Sequence, residues 1–322
     1  MQFKVISLKD IFLKDERFRI SFFFSLDKLK RSLKSIGMTH PPVIVRRNKK
    51  NVLVTGWKRI LAAKDLSLDA VPVFICDEED DLRAFEFAVH EKAMDPSLTL
   101  LEKAEVISKL VIFGENKKRI IQEICPLMQL PATPGHLDKY RKMSELEIET
   151  RRFLHENNVS LPVTEQLLSF PSQERKRLLP LLSAMGQNKQ KVILEDLYDL
   201  LLREDLKMDD LFNQERFQKV LTEKRLSRLQ KADKVRDLIR EMRYPALTEM
   251  NKTLDRCLKK MHWPKETPLS ASPFFEDDRF MIQVPFRNKN EAETLLFKLE
   301  KLVATREFSE MMDVLTNTQN GI

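Results

Sequence analysis

Over residues 1–76 the apolar positions switch between strand and helix spacing. Phe3-Lys4-Val5-Ile6 predicts a short strand. Leu26, Leu29, Leu33 and Ile36 recur at helical spacing, and Gly37 stands where a helix commonly ends. Pro41-Pro42 breaks the chain before Val43-Ile44-Val45, a second strand. Asn48-Lys49-Lys50-Asn51 predicts a turn, and Val52-Leu53-Val54 pairs back as a hairpin. Gly56 opens a helix through Ala63 and Leu66, and Val71-Pro72-Val73-Phe74-Ile75 is the last strand. The acidic cluster Asp77-Glu78-Glu79-Asp80-Asp81 begins another helix, where negative charge suits the helix dipole.

From about residue 97 helical spacing takes over. Ser97 to Phe113 predicts an amphipathic helix, and Thr99-Leu100-Leu101-Glu102 has capping-box spacing. Helical patterns continue with breaks at Pro126, Pro131, Pro162 and Pro171. Residues 186–243 predict long charged helices, among them one from Lys219 to Arg243 whose arginines could line a phosphate-tracking stripe or simply face solvent. Beyond residue 244, prolines punctuate a small unit with a strand Phe280–Val284 and a helix Glu291–Val303; Phe274-Phe275-Glu276 precedes the strand. His262-Trp263-Pro264 reads as packing. The expected domains are 1–95, 96–185, 186–243 and 244–322, the last a dimerisation candidate.

Composition narrows the partners. Hydrophobic residues at 42% supply a core, and charged residues at 33% with only 6 Gly favour helix. The net charge of +7 is unevenly placed: residues 1–60 hold 15 Lys/Arg against 4 Asp/Glu. A field of that sign attracts phosphates, or is a solvated basic face. Three scattered cysteines, Cys76, Cys125 and Cys257, argue against a disulfide framework and a zinc site. The N-terminus meets charge too soon for a signal peptide, and no apolar run suffices for a membrane span. A cytoplasmic protein without a membrane partner is expected.

Two motifs carry candidate chemistry. In Val54-Thr55-Gly56-Trp57-Lys58-Arg59 a strand runs into Gly and a helix starts at once. That arrangement exposes backbone N–H groups to an anion, Gly lets a phosphate approach, and Lys58 and Arg59 add charge. It also describes an ordinary strand–helix turn. The second motif is a helix-turn-helix. Lys118 to Met128 forms a first helix, Leu130-Pro131-Ala132 a turn, Thr133 an N-cap with Pro134 at the first helical position, and a second helix runs to Met143. Leu137, Tyr140 and Met143 would face inward, and Gly135, His136, Lys139 and Lys142 outward. A recognition helix needs an apolar docking face, a polar N-terminal turn for base edges and cations for phosphates.

The order of these motifs resembles the ParB family. The Gly56-Trp57-Lys58-Arg59…Ala62-Ala63…Val71-Pro72-Val73 stretch is similar to its "GxRR…AA…VPV" box. Ile6-Ser7-Leu8 and Asp15-Glu16-Arg17-Phe18-Arg19 resemble its opening strand and Arg-containing turn, and Ser25 to Val45 its "L…SI…G…PPVV" segment. Val159–Thr164 and Leu167–Pro171 resemble the helices that follow its helix-turn-helix, so the likeness reaches about residue 182. It implies an α+β ParB/sulfiredoxin-like N-terminal domain, then an all-α helix-turn-helix domain and long helices, with a small α/β C-terminal unit.

The resemblance further implies a nucleotide site for CTP with Mg²⁺, built from Arg19, Gly56, Lys58, Arg59, Glu91 and Lys92, and DNA contacts from Thr133, Gly135, His136, Lys139 and Lys142. It implies a homodimer on double-stranded DNA, a nucleoid-associated clamp in chromosome or plasmid partition, and a partition ATPase as partner. The chain departs from the family in its second box, "ENxQR", which falls at Glu91-Lys92-Ala93-Met94-Asp95. Lys92 replaces an Asn that helps hold the metal, and Asp95 an Arg facing phosphate; CTP hydrolysis is therefore not expected, and Lys92 could neutralise phosphate without metal. Gln129 takes the place of the usual turn Gly. The match begins at residue 3, so the family's arm for the ATPase is not expected, and a transcriptional regulator or adaptor stands as an alternative to partition. A ParB-like nuclease would need clustered carboxylates. Sulfiredoxin chemistry lacks its thiolate, since Trp57 and Lys58 occupy that turn.

Overall fold

The computed structural model describes residues 1–93, 98–271 and 279–319. Met94, Asp95, the predicted helix start at Ser97 and the Phe274-Phe275-Glu276 segment lie outside the described residues. The chain divides into two compact units, Met1–Tyr198 and Asp199–Ile322.

The first unit opens on a four-stranded sheet. Its strands are β1 (Gln2–Ser7), β2 (Val43–Arg47), β3 (Lys50–Leu53) and β4 (Ala70–Cys76), in spatial order β1-β4-β2-β3. β1 runs antiparallel to β4, β2 antiparallel to β3, and β2 parallel to β4. The hairpin is tighter than the sequence suggests: Arg47 pairs with Lys50, leaving a two-residue turn at Asn48 and Lys49. Both have positive φ, 48° and 63°, as the turn that matches strand twist requires. Alternation along the strands separates two cores. Ile44, Leu53, Val71 and Val73 pack with Trp57, Ile60 and Ala63 on one side, while Val45, Val52 and Cys76 join Phe18, Phe85 and Val89 on the other.

Four helices frame this sheet: α1 (Asp27–Ile36), α2 (Trp57–Asp65), α3 (Asp81–Ala93) and α4 (Leu100–Ile112). Gly37 ends α1 at φ 71°. The acidic run works mainly before α3: Asp80 accepts the Leu82 N–H at 2.8 Å, and Asp81 is shared between Arg17 (2.6 Å) and Arg47 (2.8 Å). α4 starts at Leu100, and both capping-box bonds between Thr99 and Glu102 are made.

Several predicted elements differ. The first helix of the helix-turn-helix is composite, with Lys117–Arg119, a π-helical turn Ile120–Ile124 and Cys125–Leu127. Pro126 has no N–H, and its ring would crowd the carbonyl four residues back in a regular α-helix. The wider turn, in which the Cys125 N–H reaches Ile120 O, relieves that crowding. The single helix expected over 219–243 is two, Glu215–Thr222 and Arg228–Arg243. Ser227 and Gln230 form a capping box that starts the second, and Lys231 Nζ donates to the Leu221 carbonyl at 2.6 Å. The stretch before it likewise breaks into Gln187–Arg203 and Met208–Asn213.

The last part of the second unit is more helical than expected. Pro245–Lys260 and Arg306–Gln319 are helices that the prolines and the polar surface obscured. β5 (Leu269–Ala271) pairs antiparallel with β6 (Phe280–Ile282), which stops short of the predicted Val284, and Lys289–Val303 is a helix. Met250, Leu254, Met261, Leu269 and Met311 form its core, with Trp263 stacked on Phe308 at 5.9 Å.

Candidate anion pocket and nucleic-acid interface

The strand–Gly–helix motif forms one wall of a cavity of about 740 Å³. Gly56, with φ 80° and ψ 21°, is the N-cap of α2, and no side chain caps that helix. The first-turn N–H groups of α2 thus keep their capacity for an anion. Gly56, Lys58 and Arg59 line the cavity, joined from α3 by Glu91 and Lys92. Five of the six expected nucleotide residues therefore meet in one place. Arg19 lies beside rather than on the lining: its guanidinium stacks 5.1 Å from the Trp57 ring and 4.7 Å from Phe22, and its Nε donates to the Ser21 carbonyl at 3.0 Å.

The site's charges are arranged in pairs. Arg59 donates to the Glu91 carboxylate and to the His40 carbonyl. Lys92 Nζ lies 4.0 Å from Glu102 Oε1. Glu102 is buried, accepts from the Ser21 hydroxyl, and takes the Thr99 N–H at 3.0 Å on its other oxygen. Gly56 also has a packing role. A Cβ there would stand 2.7 Å from Pro42 Cβ, so the close approach that demands glycine is to Pro42.

Three features on or beside the wall escaped the sequence reading, and of them Trp57 lines the cavity. The run Phe22-Phe23-Phe24 collects cations: Lys58 Nζ lies 5.4 Å from Phe24, the Arg151 guanidinium 4.8 Å from Phe22 and that of Arg152 5.5 Å from Phe23. Three adjacent aromatics fit neither a helical nor an alternating pattern, so only their composition signalled them. Trp57, 6% exposed, lines the cavity with a buried Nε1 that has no hydrogen-bond partner. Glu102, expected as a cap alone, also faces Lys92.

The helix-turn-helix ends in the helix Pro134–Ser144. Thr133 caps it, accepting the His136 N–H. Leu137, Tyr140 and Met143 are buried, as the spacing predicts. The Tyr140 hydroxyl donates to the Pro131 carbonyl at 3.1 Å, and burial raises its pKa. Burial likewise pushes the Cys125 thiol up to about 11, which suits packing rather than chemistry. Gln129 takes the left-handed conformation, φ 54°, that a turn glycine would supply. Gly135 and Lys142 are exposed, as is Arg141, which the sequence reading passed over. His136 and Lys139 are half-buried instead. Lys139 Nζ pairs with Glu165 at 2.7 Å, and His136 Nε2 lies 3.9 Å from the same carboxylate while its Nδ1 meets Thr133 Oγ1 at 2.7 Å. Among the described residues no group of three or more His, Cys, Asp or Glu is arranged to hold a metal, and no helix is long and apolar enough to cross a membrane.

No protein-family model matches the chain. It is similar to the probable chromosome-partitioning protein ParB of Campylobacter jejuni, 26% identical over 165 residues, which is 51% of this chain and 56% of that relative. Chlamydia muridarum has a probable chromosome-partitioning protein ParB that is 25% identical over 167 residues, 50% of this chain and 58% of that one. The chain thus spans little more than half the length of the curated relatives it matches. Among solved structures, the C-terminally truncated ParB of Caulobacter crescentus complexed with CTP-gamma-S is 18% identical, with 56% of this chain and 99% of that chain covered and a TM-score of 0.27.

Proposed function

We propose that this ParB-like chain is a sequence-specific binder of double-stranded DNA whose N-terminal cavity takes a nucleotide, with CTP as the first candidate. The observation that carries the DNA reading is the helix Pro134–Ser144. Its inner face is docked by Leu137, Tyr140 and Met143, while Gly135, Arg141 and Lys142 are exposed. Such a helix can enter the major groove by its first turn and hold phosphates by its cations. Thr133 serves the helix first as its cap, and Lys139 must leave Glu165 before it can reach a phosphate.

The nucleotide reading rests on the cavity. Its volume lies within the range of small-molecule sites. The uncapped start of α2, Lys58 and Arg59 suit a phosphate chain, and the aromatic side chains nearby suit a base. The donor set does not suit Mg²⁺: Glu91 is the carboxylate on the described wall, it is engaged by Arg59, and Lys92 stands beside it. The finer reading is a clamp made by two copies of this chain, controlled by nucleotide and served by a partition ATPase on the nucleoid. A transcriptional regulator without nucleotide control is the second reading, favoured by the Lys92–Glu102 pair, which sets the ammonium 4.0 Å from a buried carboxylate with no ligand present. The nuclease reading loses support because Asp80 and Asp81 are committed to the α3 cap and to Arg17 and Arg47.

Two titrations test this. Fluorescence anisotropy with duplex DNA should give binding that weakens steeply with salt, and Lys142→Ala together with Arg141→Ala should lower affinity on every sequence. Calorimetry with CTP should show binding that Arg59→Ala weakens. Absent DNA binding at low salt contradicts the first half, and absent CTP binding at millimolar nucleotide contradicts the second.

A further inference from the structure

We infer that the Arg59–Glu91 ion pair is a latch inside the cavity, and that an entering phosphate must displace the Glu91 carboxylate from Arg59 to bind. The inference rests on the nucleotide reading above and adds a built-in competitor to that site. Arg59 and Glu91 both line the cavity. They belong to helices that serve opposite faces of the sheet. α2 packs through Trp57, Ile60 and Ala63 on one side, and α3 through Ala84, Phe85, Ala88 and Val89 on the other. One guanidinium ties the two together. Its Nη2 donates to Glu91 Oε1 in the last turn of α3, and its Nη1 donates to the carbonyl of His40, a third lining residue.

The chemistry of the pair makes it exchangeable. The Arg59 side chain is 18% exposed and that of Glu91 43%. The guanidinium is the more enclosed partner, and enclosed donors without acceptors are costly. Glu91 meets solvent and loses little on release. A phosphate group offers two oxygens to the planar fork of a guanidinium, as a carboxylate does, and can carry more charge. The first turn of α2, without a side-chain cap, and Lys58 beside Arg59 attract the same ligand. A lone phosphate that merely replaces Glu91 gains little by the exchange. A triphosphate, which also reaches the start of α2 and Lys58, gains more. The latch therefore sets a threshold that favours long phosphate chains over small anions.

The test is calorimetry on the full chain with CTP and with inorganic triphosphate, both in Mg²⁺ buffer. Glu91→Gln should tighten both by about threefold to fivefold, the scale of one partly exposed pair. Glu91→Asp keeps the charge but withdraws it by one methylene, and should tighten both by about twofold. The Glu91 side chain is exposed, so both variants should keep the natural far-UV circular dichroism. Weaker or unchanged binding by Glu91→Gln overturns the latch and leaves the nucleotide reading standing. Tighter binding by Glu91→Gln with no gain by Glu91→Asp reduces Glu91 to a repelling charge and overturns the latch as well. Binding by neither the natural chain nor the variants overturns the latch and the nucleotide reading together.

Discussion

At the residue scale the glycine before α2 shows how a motif can be right for a reason the sequence hides. Gly56 holds φ 80°, and a Cβ would stand 2.7 Å from Pro42 Cβ. Gly56→Ala should therefore destabilise the first unit by about 2–3 kcal/mol in chemical denaturation, combining left-handed strain with a clash against a rigid ring. An unchanged midpoint would contradict the close approach. Glu165 gives the second residue-scale prediction. It holds Lys139 at 2.7 Å beside the candidate recognition helix. Glu165→Gln removes an anion and releases a cation, so DNA affinity at low salt should rise by about threefold, the scale of one exposed pair. A fall in affinity would show that Lys139 does not approach DNA. Spacing on one helix reveals which residues share a face, and it placed Lys139 and His136 outward. It could not reveal Glu165, which comes from another helix. Trp57 went unremarked as a donor because nothing in a sequence tells whether an indole N–H finds a partner.

At the element scale, caps were legible and continuity was not. Thr133 with Pro134 and Gly37 are local signals, and each starts or ends a helix where the sequence places it, while the Thr99–Glu102 capping box starts α4 at Leu100, later than the predicted Ser97. The break between Thr222 and Arg228 was missed because Ser227 lies in a run of charge that reads as one helix. Gln129 holds the turn at φ 54° without glycine. Gln129→Gly should stabilise the protein by up to about 1 kcal/mol, relief of left-handed strain being partly offset by the freer unfolded chain. Salt bridges between elements carry two further predictions. Lys109 on α4 donates to the Glu16 and Arg17 carbonyls at 3.1 and 2.7 Å and faces Glu105, which Arg151 also meets at 3.1 Å. Burial drives both groups toward neutrality, lowering the Lys109 pKa and raising that of Glu105, while each partner opposes the shift. Lys109→Ala strands Glu105 with one cation and should cost roughly 3 kcal/mol on thermal or chemical unfolding. Glu147, just before the helix Ile148–Glu156, accepts from Arg175 at 2.6 Å, and that bond holds its carboxyl at about 2 instead of 4.5. A depressed carboxyl stabilises the fold above its unfolded value and loses that contribution as pH falls from about 4.5 to 2. Unfolding followed across that window should show a loss that Glu147→Gln removes.

At the scale of the molecule, the fold class was legible and the function was legible in part. The short apolar runs of β2, β3 and β4, bounded by turn residues, and the helical spacing around them gave the mixed sheet. The cavity joins residues of α2 to residues of α3 about 35 positions later, a juxtaposition only the ordered ParB resemblance anticipated. The Phe22–Phe24 cluster and the Arg151 and Arg152 cations over it arise from long-range packing that no single segment encodes. The central claim is that the helix Pro134–Ser144 reads duplex DNA. Its most direct measurement is selection of bound duplexes from a random-sequence pool by the full chain, with and without CTP, beside a Gly135→Glu, Lys142→Glu variant of matched thermal stability. One sequence class should be enriched by the natural chain, with the variant losing that enrichment. No enrichment by the natural chain, or the same enrichment by the variant, would contradict the account.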